Sequence, residues 1–263
     1  MFSWKVLKSE LYKNISRKST LILLIPAALS LLIAIGVRSG ALELTLTTGE
    51  TGALSCMDYL FLSWTVLSSL GITGIILLLF SSFAFSGEIE RGQIRLYLLR
   101  TGKRSGVLLG KYLASVIASL CSILAVLACT VISYYGLIAG SSLGNGGFHG
   151  SAVGGLGTGE ILAYIGLGLV MYLLWISVTF LIGLFCGPFV TFILSAVFLY
   201  GGNYLAARET AFSKLLPAYW GNQLLTGEWD SWLPAAAATV FLLLLVCLIL
   251  GAAIWRFSRM DVR

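Results

Sequence analysis

The sequence predicts an all-α integral membrane protein with six transmembrane helices and both termini in the cytoplasm. The chain is 58% hydrophobic and 11% charged, less than half the charge of an ordinary soluble domain. Its apolar runs are continuous and long enough to cross a bilayer as helices, whereas a β-barrel would show alternation. Its basic residues gather on one side of the resulting topology. We therefore expect a single transmembrane domain over residues 1-263.

Residues 1-18 predict a helix that lies in the membrane interface. Apolar residues recur there at helical spacing: Trp4, Leu7, Leu11 and Ile15. Lysines and arginines surround them, a composition typical of a helix lying among lipid headgroups. A signal peptide is the alternative, but both its basic and its apolar region would be long, and five more spans follow.

Six apolar runs predict the spans: residues 20-37, 60-85, 112-138, 161-185, 189-206 and 233-255. Pro26 predicts a kink in the first span. The connection at residues 140-159 is rich in glycine and serine, which predicts a flexible outer loop. Residues 207-232 are too polar to span and too aromatic for a free loop, so we expect interfacial or re-entrant helices there.

The basic residues orient the helices. With both termini inside, 14 of the 17 Lys and Arg residues fall on the inner side. The remaining three, Arg38, Arg208 and Lys214, fall outside. Because cytoplasmic loops carry the excess of Lys and Arg, this distribution predicts cytoplasmic termini.

Residues 86-104 interrupt the apolar chain with charge. From Glu88 to Arg100 the pattern predicts a short amphipathic helix. Its apolar residues are expected on one side: Ile89, Leu96 and Leu99. The segment cannot cross a bilayer, because each charge at mid-depth costs roughly 2.5–3.5 kcal/mol. We expect it on the cytoplasmic surface, against lipid headgroups or against another protein.

The predicted spans contain no acidic, basic or histidine residue, which disfavours an ion-coupled carrier. The single histidine, His149, lies in an outer loop. The sequence has no paired carboxylates at membrane depth, no metal-ligand spacing and no phosphate-binding loop. We therefore expect no catalysis, no metal and no cofactor in this chain itself.

With the charged segment between the second and third spans, the chain resembles a permease subunit of the bacterial ABC-2 exporter family. The resemblance covers essentially the whole chain. Beyond topology it rests on a local pattern: Glu88, Arg91-Gly92-Gln93, Leu98-Leu99-Arg100, Lys103-Arg104 and Gly110-Lys111. The chain departs from that pattern where Gln93 replaces a threonine and Thr101-Gly102 stands where proline often occurs.

The resemblance implies a multi-pass protein of the bacterial cytoplasmic membrane, paired as a homodimer or with a similar permease. Two separate ATPase subunits would bind ATP and Mg, and no nucleic acid would be involved. Residues 86-104 would form a coupling helix that docks in a groove of the ATPase. The contact residues would be Glu88, Glu90, Arg91, Gln93, Arg95, Tyr97, Leu98 and Arg100.

By the same resemblance, the second and fifth spans would line the substrate pathway. Their candidate residues are Phe61, Trp64, Leu67, Ser68, Gly71, Leu78, Phe189, Phe192, Leu199 and Asn203. This apolar and aromatic set predicts a hydrophobic or amphipathic substrate, such as a membrane-active or antimicrobial peptide, for export or immunity. Two other functions stay open: an ion- or proton-coupled carrier, and a non-transporting scaffold that recruits cytoplasmic partners.

Overall fold

The computed structural model describes residues 4–42, 53–101, 104–149, 157–206 and 233–260. Within these ranges the chain is helical, apart from an isolated parallel bridge between Leu54 and Gly144. Five helical segments are long and apolar enough to cross a membrane: Lys18–Arg38, Ile72–Glu90, Arg104–Ile138, Thr158–Ile182 and Ala236–Arg259. The predicted all-α class is confirmed, and the helices are those of a multi-pass membrane protein.

The helices follow one another in this order: α1 (Trp4–Ser16), a 3-10 helix (Lys18–Leu24), α2 (Ile25–Arg38), α3 (Cys56–Ser69), α4 (Ile72–Glu90), α5 (Gln93–Thr101), α6 (Arg104–Ser133), a π-helical turn (Tyr134–Ile138), α7 (Thr158–Ile182), α8 (Pro188–Ala206) and α9 (Leu233–Arg259). The interfacial helices predicted at residues 207-232, and Lys103, lie outside the described residues.

Residues 60-85 do not form one helix, so the predicted second span is wrong as a single element. The chain instead forms α3 and α4, which are separated at Leu70 and Gly71. Gly71 has φ +66°, a left-handed conformation that costs glycine nothing and other residues much. With 14 residues, α3 extends for about 21 Å, less than the ~30 Å hydrocarbon core of a bilayer.

Pro26 does not kink a span. It lies in the first turn of α2, where its missing N–H would have had no helical partner. The 3-10 helix before it carries the chain from α1 to α2. The predicted kink is therefore replaced by a change of helix type just before the proline.

The N-terminal helix forms as predicted, but its apolar residues face two ways. Val6 and Leu7 are buried in the protein, together with the polar residue Glu10. Trp4 and Ile15 are exposed, as an interfacial helix would need for contact with lipid. One side of α1 thus packs against the protein and another is exposed. The helical spacing of the apolar residues did not distinguish these two sides.

The described chain divides into two compact units. The first contains α1, α5, α8, α9 and the adjoining parts of α4, α6 and α7. Its core includes Phe85, which stacks on Phe180 at a centroid distance of 4.3 Å. The Tyr112 hydroxyl hydrogen-bonds the Ser177 hydroxyl at 2.9 Å. This core holds α5, because Ile94 of α5 is completely buried in it.

The second unit contains residues 23–73 and 120–166. Tyr134 organises it: its hydroxyl donates to the Leu54 carbonyl at 2.8 Å and accepts from the Gly146 N–H at 3.2 Å. Ser55 and Asp58 form a capping box at the start of α3. Residues 140–149 of the predicted flexible loop are therefore tied to α3 and to the π-helical turn.

Replacing Tyr134 with Phe should destabilise the second unit, because the Leu54 carbonyl and the Gly146 N–H would lose their partner. We expect the free energy of unfolding to fall by about 1–2 kcal/mol. Thermal unfolding in detergent measures it. Tyr12→Phe on exposed α1 is the control, and equal melting temperatures for the two variants would contradict the role given to Tyr134.

Candidate functional site

Five charged side chains gather where α1, α4 and α6 approach one another. We call them the ion cluster: Glu10, Lys13, Arg17, Glu88 and Lys111. The side chains of Glu88 and Lys111 are 2% exposed and that of Glu10 is 6% exposed. Such burial excludes a solvated surface patch, since charges are rarely buried unless they are paired.

Lys111 bridges the two carboxylates of the cluster. Its Nζ donates to Glu10 Oε1 at 2.7 Å and also to Glu88 Oε2. Lys13 donates to the other oxygen of Glu88, and Arg17 Nη1 lies 3.4 Å from that same oxygen. Three cations therefore share two carboxylates, and the cluster keeps one net positive charge.

Gly110 allows α1 and α6 to approach closely enough for these contacts. A Cβ at Gly110 would stand 2.9 Å from Val6 Cγ1 and 3.4 Å from the Leu7 nitrogen. The glycine brings the two helices together, and the next residue supplies the lysine that reaches Glu10. Near the start of α6, Gly110 thus permits the close helix contact and Lys111 forms the ion pair.

Tyr97 of α5 covers the cluster. The Lys111 ammonium lies 4.7 Å from the centre of its ring and the Lys13 ammonium 5.9 Å, both within cation–π range. The Tyr97 side chain also hydrogen-bonds Glu10. Burial raises the pKa of Tyr97, and the negative charge of Glu10 raises it further, so the phenol stays neutral.

The electrostatics of the cluster keep Glu10 ionised. Burial alone would raise its pKa, but the charges of Lys111 and Lys13 and the hydrogen bonds from Lys111 and Tyr97 together outweigh that effect, and the pKa falls below the ordinary 4.5. Burial and the nearby Lys111 charge lower the pKa of Lys13 to about 8, against the attraction of Glu10. At neutral pH these groups carry opposite charges and attract one another.

The structure differs from the single charged helix that the sequence predicted. α4 ends at Glu90, Gly92 turns the chain with φ +68°, and α5 begins at Gln93. Leu96 and Leu99 of α5 are 61% and 84% exposed, whereas Ile89 packs against the core. A single helix from Glu88 to Arg100, with these three residues on one side, is therefore wrong.

The eight predicted contact residues separate into three groups. Glu88 belongs to the ion cluster, Tyr97 covers it and Leu98 packs on the core. Glu90, Arg91 and Arg95 are exposed, and Gln93 is half-buried. The side chain of Arg100 lies outside the described residues.

The predicted pathway residues do not form one open surface within either unit. Five of them are buried: Phe61, Trp64, Leu67, Leu78 and Leu199. Gly71 forms the break between α3 and α4, Ser68 and Phe192 are partly exposed, and Phe189 is 64% exposed. Asn203 lies on α8, and its side chain lies outside the described residues.

Sequence reasoning missed Glu10, Lys13 and Lys111 as one site. Glu10 is the single acidic residue among the basic residues of the N-terminal segment, which was an available signal. Nothing local links it to Lys111, 101 positions later. Two helices long and apolar enough to span therefore contain buried charges, Glu88 and Lys111, which the predicted span boundaries excluded.

A family model described as a protein of unknown function, DUF2705, matches residues 46–263, most of the chain. The chain belongs to the DUF2705 family. No curated protein matches it. In this DUF2705 chain the matched part carries Glu88, Tyr97 and Lys111, whereas Glu10 and Lys13 precede it.

Replacing Lys111 with Met should destabilise the fold by about 3–5 kcal/mol, because Glu10 and Glu88 would lose the cation buried between them. Thermal unfolding in detergent measures the change, with the exposed Lys8→Met as control. Adding Glu10→Gln and Glu88→Gln to Lys111→Met should recover part of the loss. Unchanged melting of Lys111→Met would refute a structural role for the cluster.

Acid should weaken the attachment of α1. Because the pKa of Glu10 is lower in the folded than in the unfolded chain, its stabilising effect is present above about pH 4.5 and is lost as the pH falls through the folded-state pKa. The melting temperature of the wild type should therefore drop across this range. Glu10→Gln should melt lower at pH 7 and show a flatter acid profile; parallel profiles would contradict the assignment.

Proposed function

We propose that this chain is the transmembrane permease subunit of an ATP-driven exporter of the ABC-2 type. It has six spans, with both termini in the cytoplasm of a bacterium. The observation that carries the proposal is α5, a short charged helix with an exposed outer face and a buried attachment. A helix of this kind suits the transmission of movement from a cytoplasmic ATPase to the membrane helices.

The outer face of α5 supports a protein partner. It places two exposed leucines, Leu96 and Leu99, beside the exposed Arg95, and Arg91 lies in the preceding turn. Apolar anchors next to charged groups fit a groove with an apolar floor and a polar rim. The partner is an ATPase subunit, present in two copies per complex, which binds ATP and Mg.

The attachment of α5 supports a coupling role. Ile94 is fixed in the apolar core, and Tyr97 contacts the lysines of the ion cluster. Separating the buried charges of that cluster would cost several kcal/mol. A displacement of α5 is therefore passed to α1, α4 and α6 together. Closure of the ATPase pair would supply the displacement.

The permease pairs with a second copy of itself, and its substrate is hydrophobic or amphipathic. A large exposed apolar surface on α8 supports both statements. It can pack against a second copy of the chain, and it offers a substrate apolar contact without a charged group for recognition. Its exposed residues include Phe189, Val197 and Phe198. A membrane-active or antimicrobial peptide fits a lining of this kind better than a sugar or an ion.

A pull-down tests the coupling role. The tagged chain, extracted from its native membrane in mild detergent, should bring down an ATPase with a phosphate-binding loop at close to one copy per chain. The double variant Arg95→Glu/Leu99→Ser should lose at least about 90% of it, because a charged contact and an apolar anchor are removed together.

The matched control is Lys8→Glu/Tyr12→Ser. It makes the same two kinds of change, four residues apart, on exposed positions of α1. It should retain the ATPase. Absence of an ATPase from the wild-type sample, or equal loss in both variants, would refute the exporter assignment and favour a scaffold or an ion-coupled carrier.

A further inference from the structure

A groove with a volume of about 500 Å³ lies between the chain that leaves α1 and the second half of α4. The volume falls within the range of small-molecule sites. Its polar lining comes from Asn14, Arg17, Lys18, Ser19, Thr20 and Arg91, and its apolar lining from Ile22, Leu79, Phe80, Phe83 and Ala84. The groove shares Arg17 with the ion cluster and Arg91 with the proposed ATPase contact, and its other lining residues belong to neither. We call it the basic groove.

The charge of the basic groove is unbalanced. Arg17, Lys18 and Arg91 line it, and no carboxylate does so among the described residues. In that part of the chain neither Lys18 nor Arg91 forms an ion pair, and Arg17 reaches only an oxygen of Glu88 that Lys13 also contacts. The groove is therefore a site of positive potential that attracts anions.

One polar group of the groove lacks a partner among the described residues. The Thr20 hydroxyl oxygen is buried and has no hydrogen-bond partner in that part of the chain. Asn14, which is 8% exposed, adds a second polar residue to the same lining. Because buried polar groups nearly always have a partner, the Thr20 hydroxyl has a hydrogen bond available for a ligand with polar atoms.

The groove also has an apolar lining. Phe80 is buried, and Phe83 is 44% exposed. Ile22 belongs to the apolar Lys18–Arg38 segment and the phenylalanines to Ile72–Glu90, both of which can span a membrane. Cationic and hydroxyl groups thus meet apolar side chains at one place. A ligand with an anionic head and a hydrocarbon body satisfies both the basic and the apolar lining residues, which a free phosphate does not.

We propose that the basic groove binds the phosphate headgroup of an anionic phospholipid. Arg17, Lys18 and Arg91 neutralise the phosphate, and the Thr20 hydroxyl donates a hydrogen bond to one of its oxygens. Phe80 and Phe83 contact the upper part of the acyl chains, which continue into the surrounding membrane. The lipid fastens the chain between α1 and α2 to α4, independently of any ATPase.

Lipid binding to the purified full-length chain tests the proposal. Native mass spectrometry would be used to titrate the detergent-solubilised protein with phosphatidylglycerol or with phosphatidylcholine of the same acyl chains. We expect one phosphatidylglycerol to bind at least about tenfold more tightly than phosphatidylcholine. Each basic residue near a headgroup contributes enough for several-fold in affinity.

The test variant is Lys18→Gln/Thr20→Val, which leaves the ion cluster and the outer face of α5 intact. It should weaken phosphatidylglycerol binding at least about tenfold, whereas the control Lys8→Gln should bind as the wild type does. Phosphatidylglycerol should also raise the melting temperature of the wild type more than that of the test variant. Because each protein is compared with itself with and without lipid, this comparison holds even if the test variant is less stable.

Three results would overturn the proposal. The first is equal affinity for the two lipids, and the second is equal binding by the test variant and the wild type. The third is displacement of the lipid by inorganic phosphate at equal concentration, which would make the groove a site for a free anion. Each result is independent of whether an ATPase co-purifies.

Discussion

The burial of Lys111 between two carboxylates is the interaction on which the rest of the first unit depends. One ammonium group joins Glu10 of α1 to Glu88 of α4, and Tyr97 of α5 covers the junction. A buried ion pair adds little net stability over an apolar pair, but separating its members is costly. The cluster therefore fixes which helices are neighbours more than it stabilises the fold.

The sequence was informative where one physical rule determined the outcome. Continuous apolar runs predicted the helices, because a chain in lipid must satisfy its backbone hydrogen bonds internally. They did not predict the break at Gly71, because the hydrophobicity of an apolar run does not show whether a glycine within it adopts a left-handed conformation. Pro26 marked a place where the helix geometry changes, but not the kind of change. Whether the proline kinks a helix or begins one depended on where α2 begins.

The candidate site was only half predictable. The charge of residues 86-104 located α5, because charge cannot remain at mid-membrane depth. The turn at Gly92 decided which residues face outward: Ile89 packs against the core and Leu99 is exposed, although both had been expected on one side. The cluster beneath it was hidden, because Glu10 and Lys111 meet only through tertiary packing.

The separation of 101 residues between Glu10 and Lys111 has a consequence for biosynthesis. During translation α1 emerges first, with Glu10 close to Lys13 but without Lys111, which has not yet been made. Until α4 and α6 have been inserted, the exposed Trp4 and Ile15 are the apolar side chains with which α1 can contact the membrane surface. Docking of α1 is thus a late step in assembly, because Glu10 and Lys13 of α1 need Lys111 of α6 and Glu88 of α4 as partners.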